Sequence, residues 1–258
     1  MGSHCLECAK AARPDLATRA RFWSAGQSSL VTYALIAANV LVFIGVILWT
    51  GDMGAISGQV TTAHLDLGLS REVIAEPIIW DTGDGLFVTQ PDGWYRLITS
   101  GFLHFGILHL AFNMYFLYVI GPMLEQPLGR TRFALLYFAS LLGGSFGVIL
   151  SDSGSITAGA SGAVFGLLGA ATVGLWRRGV NPFSTGIGTA LLINLFITFA
   201  MPGISIGGHL GGAAVGALCA LTMLAPDHQR VPRWATYATP LALGFVCIVG
   251  SVMLVNSG

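Results

Sequence analysis

The chain has 258 residues with 12 Lys+Arg against 12 Asp+Glu, and 54% of it is hydrophobic. Only 9% of residues are charged, far below the roughly 25% of an ordinary soluble domain. That balance excludes a disordered chain and a nucleic-acid binder with a basic face, and it points to a polytopic membrane protein. The 35 glycines show no collagen period, which suggests helices packed closely through small residues.

In chain order, residues 1–28 read as a cytoplasmic N-terminal segment. Met1 to His4 looks like an expression remnant. Cys5 and Cys8 form one Cys-x-x-Cys, half of what a zinc ribbon needs. They are expected to be the stump of a zinc-ribbon-like domain, and no metal site is expected. Cys219 and Cys247 sit in apolar runs and read as buried thiols.

Seven apolar runs follow, at about 29–50, 104–124, 132–150, 160–176, 184–201, 204–225 and 235–256. A hydrocarbon core of about 30 Å takes about 20 helical residues, so each is a candidate span. The expected fold is an all-α polytopic membrane protein: a six-helix core over 29–225, then a cytoplasmic connection and a seventh transmembrane helix in 226–258. Ten cations (Lys10, Arg13, Arg19, Arg21, Arg130, Arg132, Arg177, Arg178, Arg230 and Arg233) fall on one side of a seven-span chain, with only Arg71 and Arg96 on the other. Positive charge collects on the cytoplasmic side, so the N-terminus is expected inside and the C-terminus outside. Segment 51–103 is too long and polar for a turn. Its apolar pieces and Trp94 suggest an ordered structure lying in the outer interface.

Polar side chains within hydrocarbon are costly and usually functional. His109 and Asn113 are four apart, on one face of the second run. Ser161, in Gly159-Ala160-Ser161-Gly162, opens the fourth run. His209 lies one to two turns into the sixth. All three runs travel inward, so these four side chains converge at similar depth. A serine hydroxyl needs a base to become a nucleophile, and His209 can take its proton and later protonate a leaving amine. The open N–H groups at the start of the fourth helix can donate to an oxyanion, with His109 and Asn113 as further donors. No carboxylate shares this depth, so something else must orient the imidazole. Phe165, one turn after Ser161, can stack on it.

Each residue taken alone has a structural reading: Ser161 bonding a backbone carbonyl, His209 as a packed histidine, Asn113 as interhelical glue. The series Gly208, Gly212, Gly216 is mainly packing, letting the sixth helix approach the fourth. The joint occurrence at one depth favours the catalytic reading. A transporter would show mid-depth charges or internal repeats, and neither is found.

These residues closely resemble the rhomboid intramembrane serine proteases. The resemblance covers about residues 30–225 and rests on Tyr95-Arg96, His104 with His109-x-x-x-Asn113, Gly121 with Glu125, Gly159-Ala-Ser161-Gly162, and His209-x-x-Gly212-x-x-x-Gly216. It implies a rhomboid-like six-helix core and cleavage of transmembrane protein substrates near the outer membrane face by a Ser161–His209 dyad. His109, Asn113 and the Ser161 backbone would form the oxyanion site. His104, Gly159, Gly162, Phe165, Gly208, Gly212, Arg96 and Glu125 would be supporting residues, Arg96 as the structural arginine of the first loop and Glu125 as the inner-end glutamate. Phe165 stands where some members have Tyr, and Gly208 where Ala is common. The expected setting is the plasma membrane, multi-pass, with the active site opening outward. The expected partners are transmembrane substrates and the bilayer, with no nucleic acid and no cofactor. The rival reading is a catalytically silent relative that binds membrane clients. The fifth run, with Phe196 and Phe199, is expected to be a mobile gate for sideways substrate access.

Overall fold

The computed structural model describes residues 29–83, 85–151 and 154–257. The N-terminal segment 1–28, with its tag-like start and the Cys5/Cys8 pair, lies outside the described residues. All seven apolar runs are helical: α1 (Leu30–Thr50), α6 (Gly106–Leu128), α7 (Arg130–Ser151), α8 (Ser161–Arg177), α9 (Ile187–Ala200), α10 (Ile206–Met223) and α11 (Ala235–Asn256). Five have the length and apolarity of a membrane span. The 17-residue α8 and the 14-residue α9 do not; at 1.5 Å per residue they reach about 25 and 21 Å, short of a core of about 30 Å. The second helix begins at Gly106, so His104 lies in the turn before it and not within it.

Lipid tails are as apolar as leucine, so these helices gain little from the hydrophobic effect and depend on close approach. Glycine provides it. Helix α10 runs between α7 and α8. A Cβ on Gly212 would collide with the Gly162 carbonyl oxygen, one on Gly216 with that of Gly166, and one on Gly207 with that of Gly147. Around this seam Leu117, Phe133, Leu136, Leu167, Leu168 and Cys219 are completely buried. The close approach gives each of them the many small dispersion contacts that hold a membrane bundle.

Helix α1 starts beside Glu125 of α6. The buried Glu125 carboxylate accepts from the Val31 amide at 2.9 Å, the Thr32 amide at 2.8 Å and the Thr32 hydroxyl at 2.7 Å. It thereby satisfies open N–H groups of a helix start and meets the positive end of its dipole. Helix α11 packs along α7, with Gly250 against Phe146 and Cys247 buried in the main core. Arg71 Nη2 donates to the Leu254 carbonyl of α11 at 2.6 Å, so the seventh helix joins the same body as the first six.

Segment 51–103 is ordered. It holds α2 (Gly54–Ser57), α3 (Thr62–Leu67), α4 (Arg71–Ala75), an antiparallel hairpin of β1 (Ile79–Asp81) with β2 (Leu86–Val88), α5 (Arg96–Thr99) and a 3-10 turn at Ser100–Phe102. The hairpin adds six strand residues to an otherwise helical fold. Arg96 is fully buried and donates through Nη1 to the carbonyls of Leu65 at 2.8 Å and Gly68 at 3.1 Å, with Asp66 3.7 Å away. These are the open carbonyls at the end of α3, which a cation suits.

Candidate active site

The turn before α8 places Ser161. The Leu69 amide donates to the Thr157 carbonyl at 2.9 Å and the Thr157 amide returns the bond at 2.7 Å. Two residues on, the Gly159 amide donates to the Ser100 carbonyl at 2.9 Å. Gly159 has φ +130, a conformation L side chains avoid. Ala160 then caps α8 and Ser161 is its first residue. The amides of the first turn have no acceptor within their own helix.

His209 is one turn into α10, after the Ser205 cap, whose hydroxyl accepts from the Gly208 amide at 3.1 Å. His209 Nε2 lies 2.8 Å from Ser161 Oγ. The imidazole stacks on Phe165 with centroids 4.0 Å apart and planes 16° apart. Its other nitrogen, Nδ1, lies 2.7 Å from Thr198 Oγ1 of α9. The glycine seam makes this possible: Gly162 and Gly212 hold α8 and α10 at a distance where one hydrogen bond spans them.

His109 lies beside the turn that carries Ser161. A Cβ on Gly159 would be 2.8 Å from His109 Nε2 and 3.6 Å from Ser161 Oγ, so the missing methyl leaves a space between the His109 ring and the Ser161 hydroxyl. The Phe105 amide donates to His109 Nδ1 at 3.3 Å, which makes Nδ1 the acceptor and leaves the proton on Nε2, facing that space. Asn113 is buried below it and donates through Nδ2 to the His109 carbonyl at 2.9 Å. That bond occupies one of its two amide hydrogens.

His104 is buried edge-on against His109, with centroids 5.1 Å apart. His64 of α3 donates to the His104 carbonyl at 3.1 Å and stacks on Phe105 at 4.8 Å. Its Nδ1 accepts from the Thr61 hydroxyl at 2.9 Å, so the neutral ring fixes the turn that carries His104 and Phe105. A Cβ on Gly208 would come within 3.0 Å of Ser205 Oγ and 3.2 Å of Val148 Cγ2, a tight but not impossible fit. Arg96 and Glu125 lie away from Ser161 and act on the scaffold described above. Phe196 and Phe199 are 73% and 61% exposed, on the side of α9 that faces away from the other helices.

The sequence reading missed Thr198 and His64. Thr198 is the one polar side chain in the last seven residues of the fifth run, 195–201, and its signal was the need for something to orient His209. His64 follows Thr61 at the spacing of a capping box.

A cavity of about 30 Å³ lies against Ser100, Gly159, Ser161, Ser205 and His209. It has room for about one water molecule and none for a peptide strand.

The Rhomboid domain family model matches residues 91–226, more than half of the chain. The rhomboid protease GluP of Bacillus subtilis is 40% identical over 159 residues, covering 59% of this chain and 31% of that protein. Rhomboid-type serine protease 2 of Emericella nidulans is 33% identical over 176 residues, 65% of this chain and 33% of that protein. The rhomboid-related protein YdcA of Bacillus subtilis is 33% identical over 159 residues, 59% of this chain and 80% of that protein. The chain thus aligns with about a third of the length of the first two and most of the third. The matched stretch holds the Ser161–His209 contact and the glycine seam beneath it, and the chain belongs to the rhomboid family.

Proposed function

We propose that the protein is an intramembrane serine endopeptidase that cleaves transmembrane protein substrates near the outer membrane face. The observation that carries this reading is the 2.8 Å contact between His209 Nε2 and Ser161 Oγ. Ser161 Oγ attacks the scissile carbonyl while its proton passes to Nε2. The oxyanion meets the Ser161 amide and His109 Nε2–H, with the second Nδ2 hydrogen of Asn113 within the same group. His209 then protonates the leaving amine, and water hydrolyses the acyl-enzyme with His209 again as base.

The small size of the cavity supports sideways access by displacement of a helix. Helix α9 is the candidate: between Thr189 and Ala200 only Thr198 is buried. The ten-to-two split of cations supports a plasma-membrane orientation with the N-terminus inside and the site facing out. A silent client-binding relative would have no use for Ser161 and His209 at bonding distance.

The test is labelling of the purified protein with a fluorophosphonate. Ser161 should be modified, Ser161→Ala should abolish both labelling and cleavage, and His209→Ala should be nearly as severe, since members of a catalytic unit fail together. Full turnover by either variant overturns the dyad.

A further inference from the structure

We infer that Thr198 is a positioning residue for the base, so that His209 is competent only while α9 is docked. This rests on the protease reading of Ser161 and His209.

The hydrogen-bond directions lead to it. Thr198 Oγ1 lies 2.7 Å from the Asn194 carbonyl one turn earlier. A carbonyl only accepts, so the hydroxyl proton goes there. The oxygen's lone pairs then face His209 Nδ1 at 2.7 Å, and Nδ1 must carry the proton. In a neutral imidazole that leaves Nε2 as the acceptor, aimed at Ser161 Oγ. The chain from Asn194 through Thr198 and His209 to Ser161 thus selects the tautomer a general base needs. It fills the place that a buried carboxylate takes in soluble serine proteases, without placing a charge at this depth.

A threonine bonded to the carbonyl four residues back is ordinary in a membrane helix, but two features go beyond that. Thr198 is 2% exposed while its neighbours Ile197 and Phe199 are 39% and 61% exposed, so it is the point where the outer end of α9 meets the core. The same atom that accepts from His209 belongs to the most loosely packed helix. Displacing α9 takes away the Nδ1 acceptor, and a buried N–H without a partner favours the other tautomer or a turned ring. Docking of α9 at Thr198 and readiness of the base are therefore one event.

Thr198→Val keeps the shape and removes the acceptor, and Thr198→Ser keeps the hydroxyl. With a transmembrane substrate, Thr198→Val is expected to lower kcat by about 10–100-fold, the loss expected for one buried unpaired donor, with KM within about threefold. Thr198→Ser should recover most of kcat. Fluorophosphonate labelling of the folded fraction should slow in parallel. Nitrogen-15 NMR of His209 should show Nδ1–H in the unaltered protein and a loss of that tautomer in Thr198→Val. An unchanged kcat or an unchanged tautomer in Thr198→Val, or a change in KM or melting temperature alone, overturns the inference while leaving the dyad in place. Absence of labelling in the unaltered protein would instead overturn the protease reading, and this one with it.

Discussion

The Ser100 carbonyl accepts the Gly159 amide at 2.9 Å, so a residue of the long first loop holds the turn that presents Ser161. Together with the Leu69–Thr157 pair, this makes segment 51–103 a brace for the Ser161 turn. Arg96 is the brace's anchor, because its guanidinium gathers the Leu65 and Gly68 carbonyls just before Leu69.

Arg96→Ala should therefore damage both stability and activity, although Arg96 touches no reacting atom. Removing one partner of buried, hydrogen-bonded charge typically costs about 3–5 kcal/mol. Thermal unfolding in micelles should show a drop of several degrees or more, and labelling of Ser161 should fall with it. A variant with unchanged melting temperature and lowered labelling would instead give Arg96 a direct role at the site.

Two glycines of α10 should respond differently to the same added methyl group. Gly212→Ala drives a Cβ into the Gly162 backbone carbonyl, which cannot move without parting α8 from α10. It should cost roughly 1–3 kcal/mol of stability and most of the activity, because the Ser161–His209 contact spans that seam. Gly208→Ala meets mainly the Ser205 hydroxyl and one Val148 methyl and should retain more than about half of the activity. Equal losses would show that backbone collision is not what decides.

If His109 donates to the oxyanion as proposed, His109→Ala should lower kcat by about 10²-fold, near the usual loss for one donor. Asn113→Ala should cost less, about tenfold, because one of its hydrogens is already bound to the His109 carbonyl. Steady-state kinetics with a transmembrane substrate separates the two. A pure KM effect at Asn113 would make it a substrate-binding residue.

Burial lowers the His64 pKa below its ordinary 6.5, with its bond to the His104 carbonyl acting in the opposite direction. A lowered folded-state pKa means the unfolded chain binds more protons between the two values. His64 therefore costs stability as pH falls below about 6.5, and its neutral form is free of that penalty above it. His64→Gln should lower the melting temperature at pH 7.5 but flatten its decline between pH 7 and 5. A parallel decline in both proteins would assign the acid sensitivity elsewhere.

Orientation is tested with cysteines in a background lacking Cys5 and Cys8. Thr82→Cys, in the exposed hairpin turn, should react with an impermeant thiol reagent on intact cells. Val180→Cys, just after the Arg177-Arg178 pair, should react only after lysis. Reversed labelling would place the site on the cytoplasmic side.

The sequence by itself determined the helical class, the position of every long helix among the described residues and the four polar residues that the proposed function uses. Hydrocarbon forces these features into the linear chain: a span must be apolar along its length, and each polar exception stands out against it. It also placed Phe165 over His209, because residues four apart share a helix face. What it could not decide was how far side chains reach between elements. Thr198 reads as a routine helix threonine until α9 and α10 are laid side by side, and His64 as a loop residue until it meets the His104 carbonyl. Asn113 reads as a free donor until its rotamer spends a hydrogen on its own helix. Phe196 and Phe199 read from the sequence as bulk on the fifth run, and only the packing of α9 shows that both face away from the helical body.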